Sequence, residues 1–461
     1  MIRHACGLFG VSGHQDAARH AYFGLYAQQH RGQEGAGIVT WDGGALHEHR
    51  GTGLVPDVFN EAGLQNLPGD HAIGHVLYGT SAALSLRNTQ PFTVHHQGMD
   101  IALAHNGKLV NSRDLRRRLE ENGAIFQTAR DVEVFMHLII QAMRRKNLEE
   151  AVLEACSQVR GSYSLVLLVG DKLIGLRDPL GIHPLALGRL EAGYALVSET
   201  CALDLLEAEF LRAVEPGEMA IIQNGNVRSM RLAPAQTPKQ CVFELMYFGR
   251  PDSLIFDEQV YLCRKRMGWQ LAFESTPDVD FVMPFPDSGV YAAVGFAQGA
   301  ELPYEHAMIR NHYVGRTFIQ PTQGMRNFSV RVKINPVRPM IEGKRICIVD
   351  DSIVRGTTML TRVKKLRELG AREVHIRISC PPVRFPCCYG IDFASRGELI
   401  AAGRSVEEIR RILDVDSLHY LSLEGLARSV AHPDHYCRAC LTGDYPVPPA
   451  EESRNRECGA Q

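Results

Sequence analysis

Residues 345–358 read RICIVDDSIVRGTT: an apolar, β-branched run that stops on two adjacent carboxylates, Asp350 and Asp351. A short loop containing Ser352, Arg355, Gly356, Thr357 and Thr358 follows, and a helical pattern begins at Met359. Strands of a buried parallel sheet read this way, and such sheets bind ligands beyond the carboxyl ends of their strands. Paired carboxylates suit a polyol or a metal ion. Gly and Thr bring backbone N–H groups and hydroxyls against a phosphate at a helix start. The plain alternative is an acidic turn before a capped helix. Carboxylates, Gly and paired Thr in one strand–loop–helix context favour a pocket for a sugar phosphate.

This run resembles the phosphoribosyl-diphosphate (PRPP) motif of the type I phosphoribosyltransferases. The resemblance implies that Asp350 and Asp351 hold the ribose hydroxyls and help to place Mg²⁺. It implies that the loop from Ser352 to Thr358 cradles the 5′-phosphate. The reaction would displace pyrophosphate at the anomeric carbon through an oxocarbenium-like transition state. The motif does not name the incoming nucleophile.

With 461 residues the chain has room for two or three domains, each with its own core. A formal net charge of −2 gives no electrostatic reason to expect a nucleic-acid or membrane partner. No apolar run reaches membrane-spanning length, and Met1 to Ala5 lack the apolar core of a secretory signal, so a cytoplasmic protein is expected. Twelve cysteines in a reducing compartment point to metal binding or catalysis at some of them rather than to a disulfide framework.

Cys6 heads a short apolar run, Gly7 to Val11, with only five residues before it. Removal of those residues would give Cys6 both a thiol and a free α-amine. An α-amine titrates at roughly 7.7–8, low enough to serve as a base near neutral pH. An N-terminal nucleophile therefore carries its own base. Taken alone, Cys6 reads better as a buried cysteine at a strand start, the commoner fate of a lone Cys.

Further motifs follow: Gln29 to Ile38 (QHRGQEGAGI), Gly74 to Thr80 (GHVLYGT), Ala104 to Leu109 (AHNGKL) and Gln127 to Glu133 (QTARDVE). In order and spacing these resemble the N-terminal-nucleophile (class II) glutamine amidotransferases, from Cys6 to about residue 235. The resemblance implies Cys6 as nucleophile and an oxyanion hole from the Asn106 side chain and the Gly107 N–H. It implies Asp131 as the partner of the glutamine α-ammonium, and it puts Arg31 among the residues lining the cysteine pocket. Leu77 is the sharp departure. The family has an arginine there that pairs with the α-carboxylate of glutamine, and a leucine cannot make that contact. Glutamine use is then weakened, or another basic residue holds the carboxylate; Arg87 is a candidate by its place in the following segment. Lys108 and His183 are smaller departures, where the family has Asn and Arg.

A class II glutaminase followed by a PRPP-binding half resembles the glutamine PRPP amidotransferases over nearly the whole chain. That resemblance implies stacked antiparallel sheets between helices (an α+β fold), then an α/β unit on a parallel sheet. Glutamine and PRPP are the implied substrates, purine nucleotides the implied inhibitors, and a homo-oligomer, a tetramer, the implied assembly. The implied divisions are a removable leader (1–5), the glutaminase (6–235), the phosphoribosyltransferase (236–430) and a C-terminal segment (431–461). The Pro- and Gln-rich stretch Leu232 to Gln240 marks the central boundary. Ser288 is an implied Mg²⁺ contact. Arg316, Arg326, Arg331 and Lys333 resemble a loop that folds over PRPP and excludes water.

By spacing, Cys437 and Cys440 form a CxxC pair that suits a soft metal. The resemblance adds Cys241 and Cys387 to this pair; four thiolates fit a cubane cluster, and the residues by themselves favour zinc. One branch of the family holds a structural [4Fe–4S] cluster at these positions, which implies the cluster here. Cys156, Cys201, Cys263, Cys347 and Cys380 read as core residues, and Cys458 as a free thiol in a polar tail. Two other functions fit parts of the pattern: an ammonia-dependent synthase with a glutaminase weakened at Leu77, and a non-catalytic PRPP- or nucleotide-binding regulator. Intact Asp350, Asp351, Cys6 and Asn106 speak against both. The mature protein is expected to begin at Cys6. Intact-mass analysis of native protein decides this, and a fully glutamine-active chain that retains Met1 to Ala5 would refute it.

Overall fold

The computed structural model describes residues 6–78, 86–311, 334–391 and 395–448. The leader Met1 to Ala5, the loop residues Arg316, Arg326, Arg331 and Lys333, and Cys458 lie outside the described residues.

In the first half the strands are β1 (Gly7–Ser12), β2 (Gly35–Trp41), β3 (Leu46–Thr52), β4 (His71–Leu77), β5 (Phe92–His96), β6 (Met99–Leu109), β7 (Gly161–Val169), β8 (Lys172–Arg177), β9 (Ala186–Arg189), β10 (Tyr194–Val197), β11 (Glu209–Ala213), β12 (Glu218–Gln223) and β13 (Asn226–Arg231). They form two antiparallel sheets, ordered β11-β9-β10-β1-β4-β2-β3 and β13-β12-β8-β7-β6-β5. Successive strand residues face opposite sides. Along β1, Leu8 joins Val39, Ile73, Ala102 and Val166 between the sheets, whereas Phe9 and Val11 pack outward with the helix Ala17–Ala27. The helices Asp131–Met143 and Leu148–Gln158 cover the second sheet through Phe135, Leu138, Ile139 and Val152. The stacked antiparallel sheets between helices are those expected.

In the second half the strands Phe281–Pro284, Arg345–Asp350, Glu373–Ile378 and Ser417–Tyr420 lie side by side in that order, all parallel. Both neighbours of Arg345–Asp350 are strands and its Ile346 to Val349 are fully buried, which explains the unbroken apolar run. The strand delivers Asp350 to the carboxyl end of the sheet. The following helix spans Thr357–Glu368, starting two residues before the expected Met359. Gly356 makes this possible. It sits at φ +77°, and a Cβ there would lie 2.5 Å from Cδ1 of Ile400. A left-handed glycine at that point turns the loop directly into the helix.

The C-terminal segment is woven into this core. Tyr436–Cys437 pairs in parallel with Gln240–Cys241, with Cys241 opposite Cys437, and Ala439, Cys440 and Leu441 are buried. The five cysteines read as core residues, Cys156, Cys201, Cys263, Cys347 and Cys380, are all buried. The halves meet over backbone hydrogen bonds from Lys239 N to Leu180 O (2.8 Å) and from Cys241 N to Ile182 O (2.9 Å). Among the described residues no helix is long and apolar enough to cross a membrane.

Candidate active sites

Cys6 stands at the head of β1. The β1–β4 register pairs Gly7 with Val76, so one further step sets Cys6 opposite Leu77. The backbone N–H of Tyr78 donates to the thiol. Burial pushes the Cys6 thiol up; the Tyr78 N–H and the charges of Arg130 and Arg31 oppose this without reversing it. The thiol is therefore protonated near neutral pH and needs a base before it can attack.

β6 packs against β1 and β4 and carries His105, Asn106 and Gly107. Asn106 is buried, and its Nδ2 has no hydrogen-bond partner among the described residues. A buried amide donor without an acceptor is costly, and a ligand oxygen is the natural partner. Gly107 has φ +140°, and a Cβ there would lie 2.3 Å from the carbonyl oxygen of Ser162. Burial, then the charges of Arg130 and His105, push His75 down to about 3, and burial likewise pushes His105 down to about 4. Both imidazoles are neutral at working pH.

Asp131 opens the helix Asp131–Met143. Its Oδ2 accepts from the Leu109 N–H (2.8 Å) and its Oδ1 from the Ser112 hydroxyl, so it ties the end of β6 to the helix. Each oxygen keeps a lone pair for a further donor. Arg87 is exposed, on the short helix Leu86–Asn88.

Arg31, expected to line the pocket, reaches Cys6 from behind. Its side chain is fully buried; Nε donates to the Cys6 carbonyl (3.4 Å), Nη1 to Glu199 and Nη2 to Glu244 (2.7 Å). Every arm of the guanidinium is committed to the protein. Glu199 also accepts from His30 (2.7 Å), and its second oxygen from the Arg250 N–H and the Ser253 hydroxyl, both at 2.9 Å. His183 Nε2 donates to Tyr389 O at 2.7 Å, and its Nδ1 lies 3.2 Å from Glu244 Oε1. Ser162 donates to the same carbonyl at 2.5 Å. His183, where the family has arginine, thus serves the junction of the halves.

Asp350, Asp351, Ser352, Arg355, Gly356, Thr357, Thr358 and Ser288 all line one cavity of about 450 Å³. Burial and the adjacent Asp351 push Asp350 far up. Ser352 donates to Asp351, and Arg355 pairs with Glu398 at 3.3 Å. Arg362 also lines the cavity, 3.4 Å above the Phe285 ring, and its charge opposes the rise at Asp350. It lies one helical turn after Thr358, a spacing that could have revealed it. Arg264, buried and bonded to Leu245 O and Gly249 O, adds its charge near Asp351. His30 and Tyr78, from the first half, complete the wall. Sequence reasoning missed both, because only the folded chain brings them there.

Cys241 stands opposite Cys437 in their strand pair, and burial pushes the thiols of Cys241, Cys387, Cys437 and Cys440 up. Among the described residues no group of three or more His, Cys, Asp or Glu is arranged to hold a metal ion as it stands.

A glutamine amidotransferase domain family matches residues 80–205. Amidophosphoribosyltransferase 1, chloroplastic, of Arabidopsis thaliana is 48% identical over 99% of this chain and 81% of its own length. The chain belongs to the amidophosphoribosyltransferases. The amidophosphoribosyltransferase of Archaeoglobus fulgidus is also 48% identical, over 97% of this chain and 99% of its own. The solved glutamine PRPP amidotransferase from B. subtilis, complexed with ADP and GMP, superposes with a TM-score of 0.90 at 44% identity, covering 97% of this chain and 98% of that one. A second structure, of the allosteric regulatory enzyme of purine biosynthesis, gives 0.93 at 43% identity, covering 99% of each.

In this amidophosphoribosyltransferase, burial opposes charge on Glu199, yet His30 and Arg31 hold its carboxyl far below the ordinary value. A depressed carboxyl stabilises the fold fully above its unfolded value, roughly 4.3, and loses that contribution as pH falls toward the folded value. Glu199→Gln is expected to cost about 3–5 kcal/mol at neutral pH. Urea denaturation from pH 5 down to 3 should show a flatter pH dependence for the variant than for the parent.

Proposed function

We propose that the two sites run as consecutive steps of one reaction, with residues 6–235 as glutaminase and 236–430 as phosphoribosyltransferase. As an amidophosphoribosyltransferase the protein makes 5-phosphoribosylamine from PRPP, glutamine and water, releasing glutamate and pyrophosphate, the first step of purine nucleotide synthesis. No comparison favours the ammonia-only synthase or the non-catalytic regulator. One observation carries the coupling: Tyr78, whose N–H holds the Cys6 thiol, also lines the cavity of Asp350 and Asp351.

With the leader removed, the Cys6 α-amine takes the thiol proton and the sulfur attacks the glutamine amide carbon. Asn106 Nδ2 and the Gly107 N–H receive the developing oxyanion. The proton passes to the departing ammonia, and water then frees glutamate from the sulfur. Asp131 holds the α-ammonium. Ammonia enters the second cavity on its Tyr78 side and displaces pyrophosphate. Ser352, Arg355, Gly356, Thr357 and Thr358 hold the 5′-phosphate, Asp350 and Asp351 the ribose, and Arg316 and Lys333 meet the pyrophosphate.

The residues present fit Mg²⁺. Two carboxylates side by side in a buried cavity repel, as the raised Asp350 shows, and a divalent cation relieves that cost. Ser288, Asp350 and Asp351 would hold the ion, which supplies charge neutralisation to PRPP. The pairing of Cys241 with Cys437 supports a shared soft cationic group, and Cys241, Cys387, Cys437 and Cys440 would hold a [4Fe–4S] cluster as a staple between the C-terminal segment and the second half. Purine nucleotides are the expected inhibitors, in line with the ADP and GMP of the B. subtilis relative. A homotetramer in the cytoplasm completes the proposal.

Steady-state kinetics with glutamine and with ammonia as separate donors test the coupling. Cys6→Ala should abolish only the glutamine reaction, whereas Asp351→Asn should impair both. An Asp351→Asn enzyme deficient with glutamine alone would contradict the assignment. Purification without oxygen should give brown protein with iron and sulfide in equal amounts; stoichiometric zinc without sulfide would replace the cluster by a zinc site. Cys437→Ser should also lower thermal stability, because ligation ties the segment to the core.

A further inference from the structure

Free glutamine carries two charges besides its reacting amide, an α-ammonium and an α-carboxylate. A pocket that distinguishes it from other amides must meet both. Asp131 answers the first, and Leu77, opposite Cys6, offers the second nothing. Among the described residues, the charged groups that weigh most on Cys6 are Arg130, Arg31 and Glu34. Glu34 has the wrong sign for a carboxylate. Arg31 is consumed by Glu199, Glu244 and the Cys6 carbonyl. Arg130 is the cation left.

Its geometry is that of a binding group. Arg130 Nη2 is buried and has no hydrogen-bond partner among the described residues. An unpaired guanidinium nitrogen out of water is expensive, and a ligand anion removes the cost. Its charge also acts on His75, which shares a face of β4 with Leu77 two residues on.

The backbone beneath it is clamped. Buried Glu133 accepts from the N–H groups of Gln127 (2.6 Å) and Thr128 (2.8 Å) and from the Thr128 hydroxyl (2.8 Å). The Thr128 hydroxyl oxygen accepts from the Arg130 N–H at 3.1 Å. Arg116, 3.8 Å above the Phe126 ring, donates to Thr128 O (2.8 Å) and Arg130 O (3.4 Å). Asp131 is fixed in turn by Leu109 and Ser112. A loop held this firmly loses little entropy when it binds.

We infer that Arg130 is the glutamine-specificity residue, pairing with the α-carboxylate while the adjacent Asp131 takes the α-ammonium. Two consecutive residues of opposite charge thereby read the zwitterion, and the position at Leu77 is released from that duty. The inference rests on the glutaminase reading of the Cys6 pocket.

The test compares parent, Arg130→Met, Arg130→Lys and the double variant Leu77→Arg/Arg130→Met, with glutamine and with its α-carboxamide, glutaminamide. Both amides share the reacting group, and only glutamine has the carboxylate. Arg130→Met should raise the glutamine KM about ten- to a hundredfold with little change in kcat, because the carboxylate is held alike in ground and transition states. The glutaminamide KM should barely move, so the parent's preference for glutamine disappears. Arg130→Lys should keep part of the preference, and the double variant should regain some of it. The ammonia reaction measures correctly folded enzyme. A parent that makes product from ammonia and none from glutamine overturns the glutaminase reading and this inference together. A parent that uses glutamine, paired with an Arg130→Met enzyme of unchanged KM or with equal losses on both amides, overturns the inference alone.

Discussion

The buried ion network centred on Arg31 is what the active-site architecture leans on. A fully buried guanidinium is tolerated only when charge and hydrogen bonding are both answered, and here two carboxylates and a carbonyl answer them. The two carboxylates come from different parts of the chain. Glu199 follows β10, and Glu244 lies just after the central boundary. Through Arg250 and Ser253, Glu199 also grips the second half. One network thus fixes the Cys6 backbone and the approach of the phosphoribosyl half. Its desolvation cost is recovered only when both halves are in place, so it acts as a registry device more than as a source of net stability.

Much of this was legible in the sequence, for identifiable reasons. The run from Arg345 to Asp350 announced a central parallel strand because burial on both faces leaves no room for polar alternation. The N-terminal motifs announced the glutaminase because its chemistry needs particular residue types at fixed places. Other features had no local signature. The helix start at Thr357 depends on Gly356 meeting Ile400, which is distant in sequence. The places of His30 and Tyr78 in the second cavity arise from the docking of the halves. Arg31 read as a pocket residue because its two carboxylate partners lie 168 and 213 positions away. Arg130 was overlooked because the neighbouring Asp131 already accounted for the motif, and because its partner is a ligand rather than a residue.

The two sites solve opposite electrostatic problems. Around Cys6, burial disfavours charge, the imidazoles of His75 and His105 are neutral, and an amide donor waits without an acceptor. Such a pocket rewards a substrate that brings its own charges. Around Asp350, the protein brings the charge, with two carboxylates held together against their repulsion and Arg362 as a partial counterweight. That pocket rewards a polyol and a cation. Neutral ammonia gains little from either field.

The meeting point at Tyr389 and Gly390 bears on how separable the halves are. The Tyr389 carbonyl accepts from both Ser162 and His183, and a Cβ on Gly390 would lie 3.4 Å from the Gly107 backbone. The strand that carries Asn106 and Gly107 is therefore walled by a segment from far down the chain, only two or three residues past Cys387. A fragment ending near residue 235 would expose that wall to water and leave His183 and Ser162 without their acceptor. The glutaminase is not a freestanding module that happens to be tethered to a phosphoribosyltransferase. Its interior is finished by its neighbour, and recombination that exchanged either half for a foreign one would have to rebuild the seam.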